Sequence, residues 1–78
     1  MATWSTADTR YLGVITRRLG DHTFETDNPA LCAEWFRALE YVDVPRRGPR
    51  EFARLQLGTG TAIVYTSGLV ITLPGVRS

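Results

Sequence analysis

The chain has 78 residues, a net charge of +1, one cysteine and one histidine. A chain of this length forms a single small domain, 1–78, which buries only about 60–65% of the surface that its unfolded form exposes. A lone cysteine excludes an intramolecular disulfide, and one cysteine with one histidine cannot complete a usual zinc site. The near-neutral charge argues against a dedicated nucleic-acid binder, which normally has a strong basic excess. Association with copies of itself or with a larger partner is the expected source of extra stability.

The first ten residues, MATWSTADTR, lack a basic start followed by an apolar core, so we expect no secretory signal. The longest apolar run is far shorter than the ~20 residues that span a bilayer, so we expect no membrane partner. These features predict a soluble protein of the cytoplasm, where a free thiol persists. Residues 1–8 form an arm that is predicted to be flexible or ordered by a partner. Trp4 in this arm is a candidate anchor on a neighbouring chain.

A β-hairpin is predicted first. The run TRYLGVITRR, Thr9–Arg18, is rich in strand-forming residues and breaks at Gly20-Asp21. The segment HTFETD follows with alternating character, which predicts a turn at Leu19–His22. Alternation puts two apolar pairs on opposite sides of the first strand: Tyr11 with Ile15, and Leu12 with Val14. Gly13 between them indicates a bulge or close packing of another element.

One amphipathic helix is predicted next. Asp27 or Asn28 can accept hydrogen bonds from the free N–H groups at a helix start, and Pro29 suits the first helical position. Apolar residues then recur at three- and four-residue spacing: Leu31, Cys32, Trp35, Phe36, Leu39 and Val42. The pattern predicts about three to four turns that end before Pro45. Cys32 and Trp35 lie on the apolar face, so we interpret them as core.

Three short strands complete the prediction. DVPRRGPRE is a loop because it holds two prolines, a glycine and clustered charge. The strands FARLQL, TAIVYT and LVITL follow, with a tight turn at Thr66-Ser67-Gly68 between the last two. The predicted fold is therefore α+β: an antiparallel sheet of four to five strands in ββαβββ order, with one helix on one face.

The last hairpin is apolar on both sides. Ile63 and Tyr65 point one way while Ala62 and Val64 point the other, and Val70 interrupts the face of its strand. A sheet with one helix on it should alternate apolar and polar residues. We therefore predict that the second face or the exposed edge meets another chain, with Val64 and Val70 among the contact residues.

Four arginines lie within nine residues: Arg46, Arg47, Arg50 and Arg54. All nine basic residues of the chain are arginine, whose planar guanidinium makes bidentate contacts. This cluster is a candidate site for phosphates or for an acidic partner surface. It lacks the interleaved aromatic residues on which single-stranded nucleic acids stack.

No motif in the chain predicts a reaction. His22, Glu25 and Asp27 resemble an acid–base group, but strand alternation puts His22 and Glu25 on opposite faces. The acidic residues lack the loop spacing of a calcium site. LGTGTA is followed by a strand rather than the helix that a phosphate loop requires, so it is interpreted as a turn. We predict no catalytic residue, no metal, no cofactor and no enzymatic activity.

The stretch TFETDNPALCAEWFRALEYVDV, Thr23–Val44, resembles small proteins encoded among the structural genes of tailed phages of GC-rich actinobacterial hosts. In these proteins a strand ending in F-x-T-D-[DN]-P enters a short amphipathic helix, which a hydrophobic-valine-proline segment follows. The resemblance implies a virion component, such as a capsid decoration or head–tail protein, assembled in the host cytoplasm. It carries over no functional residue, because the shared pattern is architectural.

The sequence thus predicts a non-enzymatic structural or interaction module of a virion, which binds its own copies or a larger assembly. One alternative is a small nucleic-acid-binding regulator that uses the loop Arg46–Arg54. Another is an inhibitor protein that docks on a host enzyme. The inhibitor would use the same surfaces as the first hypothesis.

Overall fold

A computed structural model describes residues 11–75, which form one helix packed on a six-stranded antiparallel sheet. The elements are β1 (Arg17–Arg18), β2 (Thr23–Glu25), α1 (Pro29–Ala38), β3 (Val42–Val44), β4 (Glu51–Leu57), β5 (Gly60–Tyr65) and β6 (Leu69–Leu73). The strands are arranged in the order β1-β2-β6-β5-β4-β3. The α+β class is confirmed, and the sheet has one strand more than the predicted maximum of five.

The first hairpin is shorter than predicted. Its turn is confirmed, because the N–H groups of Leu19 and Gly20 both donate to the carbonyl of Thr23. Its first strand covers only Arg17–Arg18, since a turn with Gly13 at φ 76° precedes it. The predicted alternation over residues 11–15 is therefore wrong. Leu12 is 73% exposed, whereas Val14 is buried in the core and its neighbours Tyr11 and Ile15 pack against that core.

The helix begins as the sequence predicts. The Asn28 side chain accepts a 3.1 Å hydrogen bond from the Leu31 N–H, and Pro29 occupies the first turn. Thr26 supports the cap, because its hydroxyl oxygen accepts a 3.1 Å bond from the Asn28 N–H. Such a cap satisfies N–H groups that have no partner within the helix.

The helix ends earlier than predicted. It stops at Ala38, and Glu40 adopts the left-handed φ of 78° that turns the chain away. Val42 is therefore not on the apolar face of the helix; it lies in β3 and is 62% exposed. A bidentate pair of hydrogen bonds, 2.8 and 3.1 Å long, joins Arg37 of the helix to Asp43 of this edge strand.

The three longest strands follow the prediction closely. β4 and β5 are joined at Gly58 and Thr59, which confirms the turn interpretation of LGTGTA. β5 and β6 are joined by the predicted turn, where the Gly68 N–H donates to the Tyr65 carbonyl. The Gly68 carbonyl in turn accepts from the Thr26 N–H at 2.8 Å. The final hairpin is thereby attached to the segment that starts the helix.

The core lies between the helix and one face of the sheet. The helix packs across β3, β4 and β5. It contributes buried Cys32, Ala33 and Phe36. The sheet and the first turn contribute the other buried members of the cluster: Val14, Ala53, Leu55, Ala62, Val64 and Val70. Removing this apolar surface from water is the main stabilising contribution to the fold.

Candidate functional site

The acidic corner at the helix start is not assembled as an acid–base group. Within residues 11–75, the side chains of His22, Glu25 and Asp27 make no hydrogen bond or ion pair with one another. The arrangement at Thr26 and Asn28 instead satisfies the backbone at the helix start. The role of this corner is to start the helix, and the sheet is the remaining candidate for a functional surface.

Cys32 is a core residue in the structure. Its side chain is fully buried, and burial raises the pKa of the thiol to about 12. A thiol that stays protonated is a poor nucleophile and a poor metal ligand. The described residues also contain no group of three or more His, Cys, Asp or Glu side chains that could hold a metal ion.

Two of the predicted contact residues are placed differently by the structure. Val64 and Val70 are opposite each other in neighbouring strands, point toward the helix and have no exposed surface. They hold the core of the molecule together and are not available to a partner, so this prediction is wrong. Strand alternation alone does not show which side of the hairpin the helix covers. Trp4 lies outside the described residues.

The side of the sheet that faces away from the helix is named the open face. Its central residues are Ile63 of β5 and Ile71 of β6, which are register partners. Leu73 lies beside them, 49% exposed, and Val42 on the edge strand β3 is 62% exposed. The remaining apolar members are Val44, Tyr65 and Leu69. Ile63 is only 4% exposed, so the centre of this face is already shielded from water.

The arginine cluster divides into two parts. Arg46, Arg47 and Arg50 lie on the loop between β3 and β4 with exposed side chains. Arg54 lies on β4, where its Nε and Nη2 donate to the carboxylate of Glu51 at 3.1 and 2.8 Å. The side chains of this pair are only 15% and 8% exposed. A buried ion pair of this kind fixes the direction of the guanidinium.

Glu51 also fixes the arginine loop. Its Oε1 accepts a 3.1 Å hydrogen bond from the Arg47 N–H. The hydrogen bonds from Arg54 and from that N–H hold the pKa of the Glu51 carboxyl below its usual value. The register of β4 with β5 shifts between Glu51 and Ala53, which is where a bulge sits. The bulge brings Glu51 to the same side as Arg54, although Ala53 and Leu55 face the helix.

A polar groove lies beside the arginine loop. It has a volume of about 360 Å³ and is lined by Val44, Pro45, Arg47, Arg54, Gln56 and Thr61. Arg54, Gln56 and Thr61 belong to the open face, because Arg54 pairs with Ile63 and Gln56 pairs with Thr61. We name this feature the arginine groove. It provides guanidinium, amide and hydroxyl donors beside the apolar residues Ile63 and Leu73 of the open face.

A second pocket, of about 250 Å³, opens on the helix side of the sheet and is lined by Ile15, Phe24, Trp35, Phe36, Tyr41 and Thr72. The Phe36 ring contacts Trp35 and Tyr41, with ring centroids 5.2 and 5.0 Å apart. These contacts pack the last turn of the helix against the residue that precedes β3. The lining is mainly aromatic and apolar, and the side-chain hydroxyls in it belong to Tyr41 and Thr72.

Gln56 and Thr61 were not among the residues predicted for a site. A signal for them exists in the sequence, because Gln56 follows Arg54 by two and therefore shares its face. Thr61 faces Gln56 once Gly58 and Thr59 are taken as a two-residue hairpin loop. The role of Glu51 had no such signal, since strand alternation without the bulge places Glu51 on the helix side.

Comparison with protein-family models, with curated proteins and with solved structures found no match. No helix among the described residues is long and apolar enough to cross a membrane.

Proposed function

We propose that this protein is a non-enzymatic interaction module whose open face packs against another protein chain, with a second copy of itself as the first occupant. The observation that carries the proposal is the row of apolar side chains on the face without a helix. Leu73 exposes 49% of its surface there, beside the register partners Ile71 and Ile63. Val42 on the edge strand exposes 62% and is separated from Leu73 by Gln56 and Thr61. A sheet face of this composition gains free energy when a second layer covers it.

Charge balance favours a second copy as the occupant. The open face carries Arg17 opposite Glu25 at one end, because these residues are register partners. It carries the Arg54–Glu51 ion pair at the other end. The charges on the strands of this face are matched, while the exposed arginines Arg46, Arg47 and Arg50 lie on the loop, so two copies can meet through the strands without net repulsion. Two-fold dimers are the commonest closed assemblies. A strongly charged partner would require an excess of one sign across the face.

The virion setting is part of the same proposal and is supported by the resemblance of Thr23–Val44 to tailed-phage structural proteins. A protein of this size that decorates a capsid or joins a head to a tail acts by contact rather than by catalysis. Mass spectrometry of purified particles tests this setting. Finding the chain only in the soluble fraction of infected cells, and never in particles, would contradict it.

The contact is tested with two leucines of similar exposure. Leu73 on the open face is 49% exposed, and Leu19 in the first hairpin turn is 46% exposed. A buried charge that lacks a partner opposes association, so Leu73→Glu should raise the dissociation constant of the self-complex about tenfold or more. Leu19→Glu should leave it unchanged. Sedimentation velocity over a wide concentration range measures both.

Two outcomes would contradict self-association through the open face. One is a wild-type protein that stays monomeric at every accessible concentration. The other is equal weakening by Leu73→Glu and Leu19→Glu, which would indicate a general effect of added negative charge. Circular dichroism of both variants confirms that they are folded before their association is compared.

A further inference from the structure

The arginine groove has more donor capacity than the molecule uses. An arginine side chain has five N–H donors. Arg54 gives only its Nε and one Nη2 contact to Glu51. No buried side-chain nitrogen or oxygen in the described part of the chain lacks a hydrogen-bond partner. Nη1 of Arg54, which has no protein acceptor, must therefore reach solvent, and the groove is the cavity that Arg54 lines.

The groove is also held in one shape. The Glu51 carboxylate accepts hydrogen bonds from the Arg54 guanidinium and from the Arg47 backbone N–H. Glu51 and Arg54 both belong to strand β4, so the Arg54 guanidinium is oriented before any ligand arrives, and the hydrogen bond from the Arg47 N–H holds the loop beside it. Preorganised donors bind more tightly, because less side-chain freedom is lost on binding.

The charge of the groove matches a single carboxylate. Two guanidinium groups, of Arg47 and Arg54, line it, and the Glu51 carboxylate offsets one of them. The Gln56 amide and the Thr61 hydroxyl add neutral donors on the same side. Val44 and Pro45 give an apolar rim for the carbons that carry the carboxylate.

A polyphosphate chain fits this groove less well than a carboxylate does. The groove lining contains no aromatic ring on which a base could stack. The Glu51 carboxylate beside Arg54 would repel successive phosphates, and the whole chain carries a net charge of only +1. Nucleic-acid binding draws its affinity from many phosphate contacts, and this surface offers few.

We infer that the arginine groove is a binding site for a carboxylate-bearing peptide segment of a partner protein, with Arg47 and Arg54 as the carboxylate ligands. Arg46 and Arg50 are exposed on the same loop as Arg47, and their charge adds to the attraction of an acidic segment. This site adds an acidic partner to the proposed function and does not depend on self-association through the open face.

The test is a titration followed by amide chemical shifts of the isotopically labelled protein. The probes are an acidic peptide with both ends blocked, its glutamine counterpart with a free carboxyl terminus, and a single-stranded oligonucleotide. The first two probes separate a side-chain carboxylate from a terminal one. All titrations are repeated on Leu73→Asn, which opposes a second copy on the open face without placing a carboxylate beside Thr61 of the groove.

The acidic peptide, the glutamine peptide with its free terminus, or both should shift the amides of Val44, Arg54, Gln56 and Thr61. Arg47→Gln should weaken this binding about fivefold or more, which is the usual effect of losing a charged hydrogen bond. Thr61→Val removes only the hydroxyl from a strand position and should weaken it less. The matched control is Arg17→Gln, an exposed arginine at the opposite edge of the sheet.

Each other result overturns the inference. Binding of the oligonucleotide without either peptide would identify a phosphate surface. Equal weakening by Arg17→Gln and Arg47→Gln would identify diffuse charge attraction. No shift with any probe would show that the groove binds no carboxylate, while sedimentation of Leu73→Glu would still decide the proposed function separately.

Discussion

The two faces of the sheet are built from the same strands and have different environments. On the helix side, Leu55 and Val64 are fully buried in a cluster that also contains Phe36 of the helix. On the open face, Ile63 is shielded, but Leu73 and Val42 expose about half of their surface or more, at 49% and 62%. Apolar content therefore does not identify the core. The side on which the helix lies decides which apolar residues stabilise the monomer and which are available to another chain.

A pair of leucine truncations provides the strongest test of this difference. Leu55→Ala leaves a cavity in the packed face and should lower the free energy of unfolding by about 2–5 kcal/mol. That is a large part of the total of roughly 4–12 kcal/mol expected for a domain of this size. Leu73→Ala on the open face should lower it by less than about 1 kcal/mol. Urea denaturation at low protein concentration measures both without a contribution from self-association. Equal losses would show that the open face is as tightly packed as the core.

The free energy of unfolding should be nearly as sensitive to a substitution at the joint between the final hairpin and the helix start. Gly68 has φ 99°, and a Cβ placed on it would lie 2.5 Å from the Thr26 carbonyl oxygen. Gly68→Ala should therefore lower the free energy of unfolding by at least about 2 kcal/mol, from backbone strain together with the steric overlap.

Two other glycines separate those causes. Gly58 has φ 60° but open space around it, so Gly58→Ala should lower the free energy of unfolding by about 1 kcal/mol from strain alone. Gly20 has neither feature, and Gly20→Ala should stay within about 0.5 kcal/mol of the wild type. If Gly68→Ala and Gly58→Ala are equally destabilising, the contact with Thr26 has no energetic role.

The helix cap should contribute less than the joint. Asn28→Ala removes the side-chain acceptor for the Leu31 N–H and should lower the free energy of unfolding by about 1 kcal/mol. Asp27→Ala is the matched control, because the neighbouring carboxylate is not the capping group. A larger effect of Asp27→Ala would mean that charge near the helix start matters more than the hydrogen bond.

The sequence correctly predicted those parts of the fold that are determined by residues close together in the chain. The cap at Asn28, the turn that ends at Gly68 and the limits of β6 follow from residue types that have few alternatives. The predictions are wrong where contacts between distant parts of the chain determine the structure. Val42 continues the helical spacing, yet Glu40 turns the chain and pairing with Gln56 places Val42 in an edge strand.

The candidate site was predictable in part. The arginine cluster was found from composition, but a linear sequence does not show that Glu51 joins Arg54 to the loop, because that depends on a bulge in β4. The final hairpin was predicted to be apolar on both sides, but Val64 and Val70 were assigned wrongly to the side away from the helix. Strand alternation divides the side chains between two faces of the sheet but does not show which face the helix covers.

The pH dependence of stability is the smallest expected effect, and it tests the polar end of the open face. Hydrogen bonds from Arg54 and the Arg47 N–H lower the pKa of Glu51 from the ordinary value of 4.5. The unfolded chain then binds a proton more readily than the folded one. The stabilisation is complete above the ordinary pKa and is lost as the pH falls through the lower pKa of the folded state. The urea midpoint of the wild type should therefore fall in acid, and that of Glu51→Gln should fall less.

Asp43 supplies the matched comparison for this effect. Its pKa is also lowered by a hydrogen bond from an arginine, Arg37, so the sign and the pH window are the same. That pair is 46% and 54% exposed, however, whereas the Arg54 and Glu51 side chains are 15% and 8% exposed. Solvent screens the exposed pair more strongly. Asp43→Asn should therefore remove a smaller part of the acid sensitivity than Glu51→Gln does. The reverse order would mean that Glu51 does not hold the arginine groove together in solution.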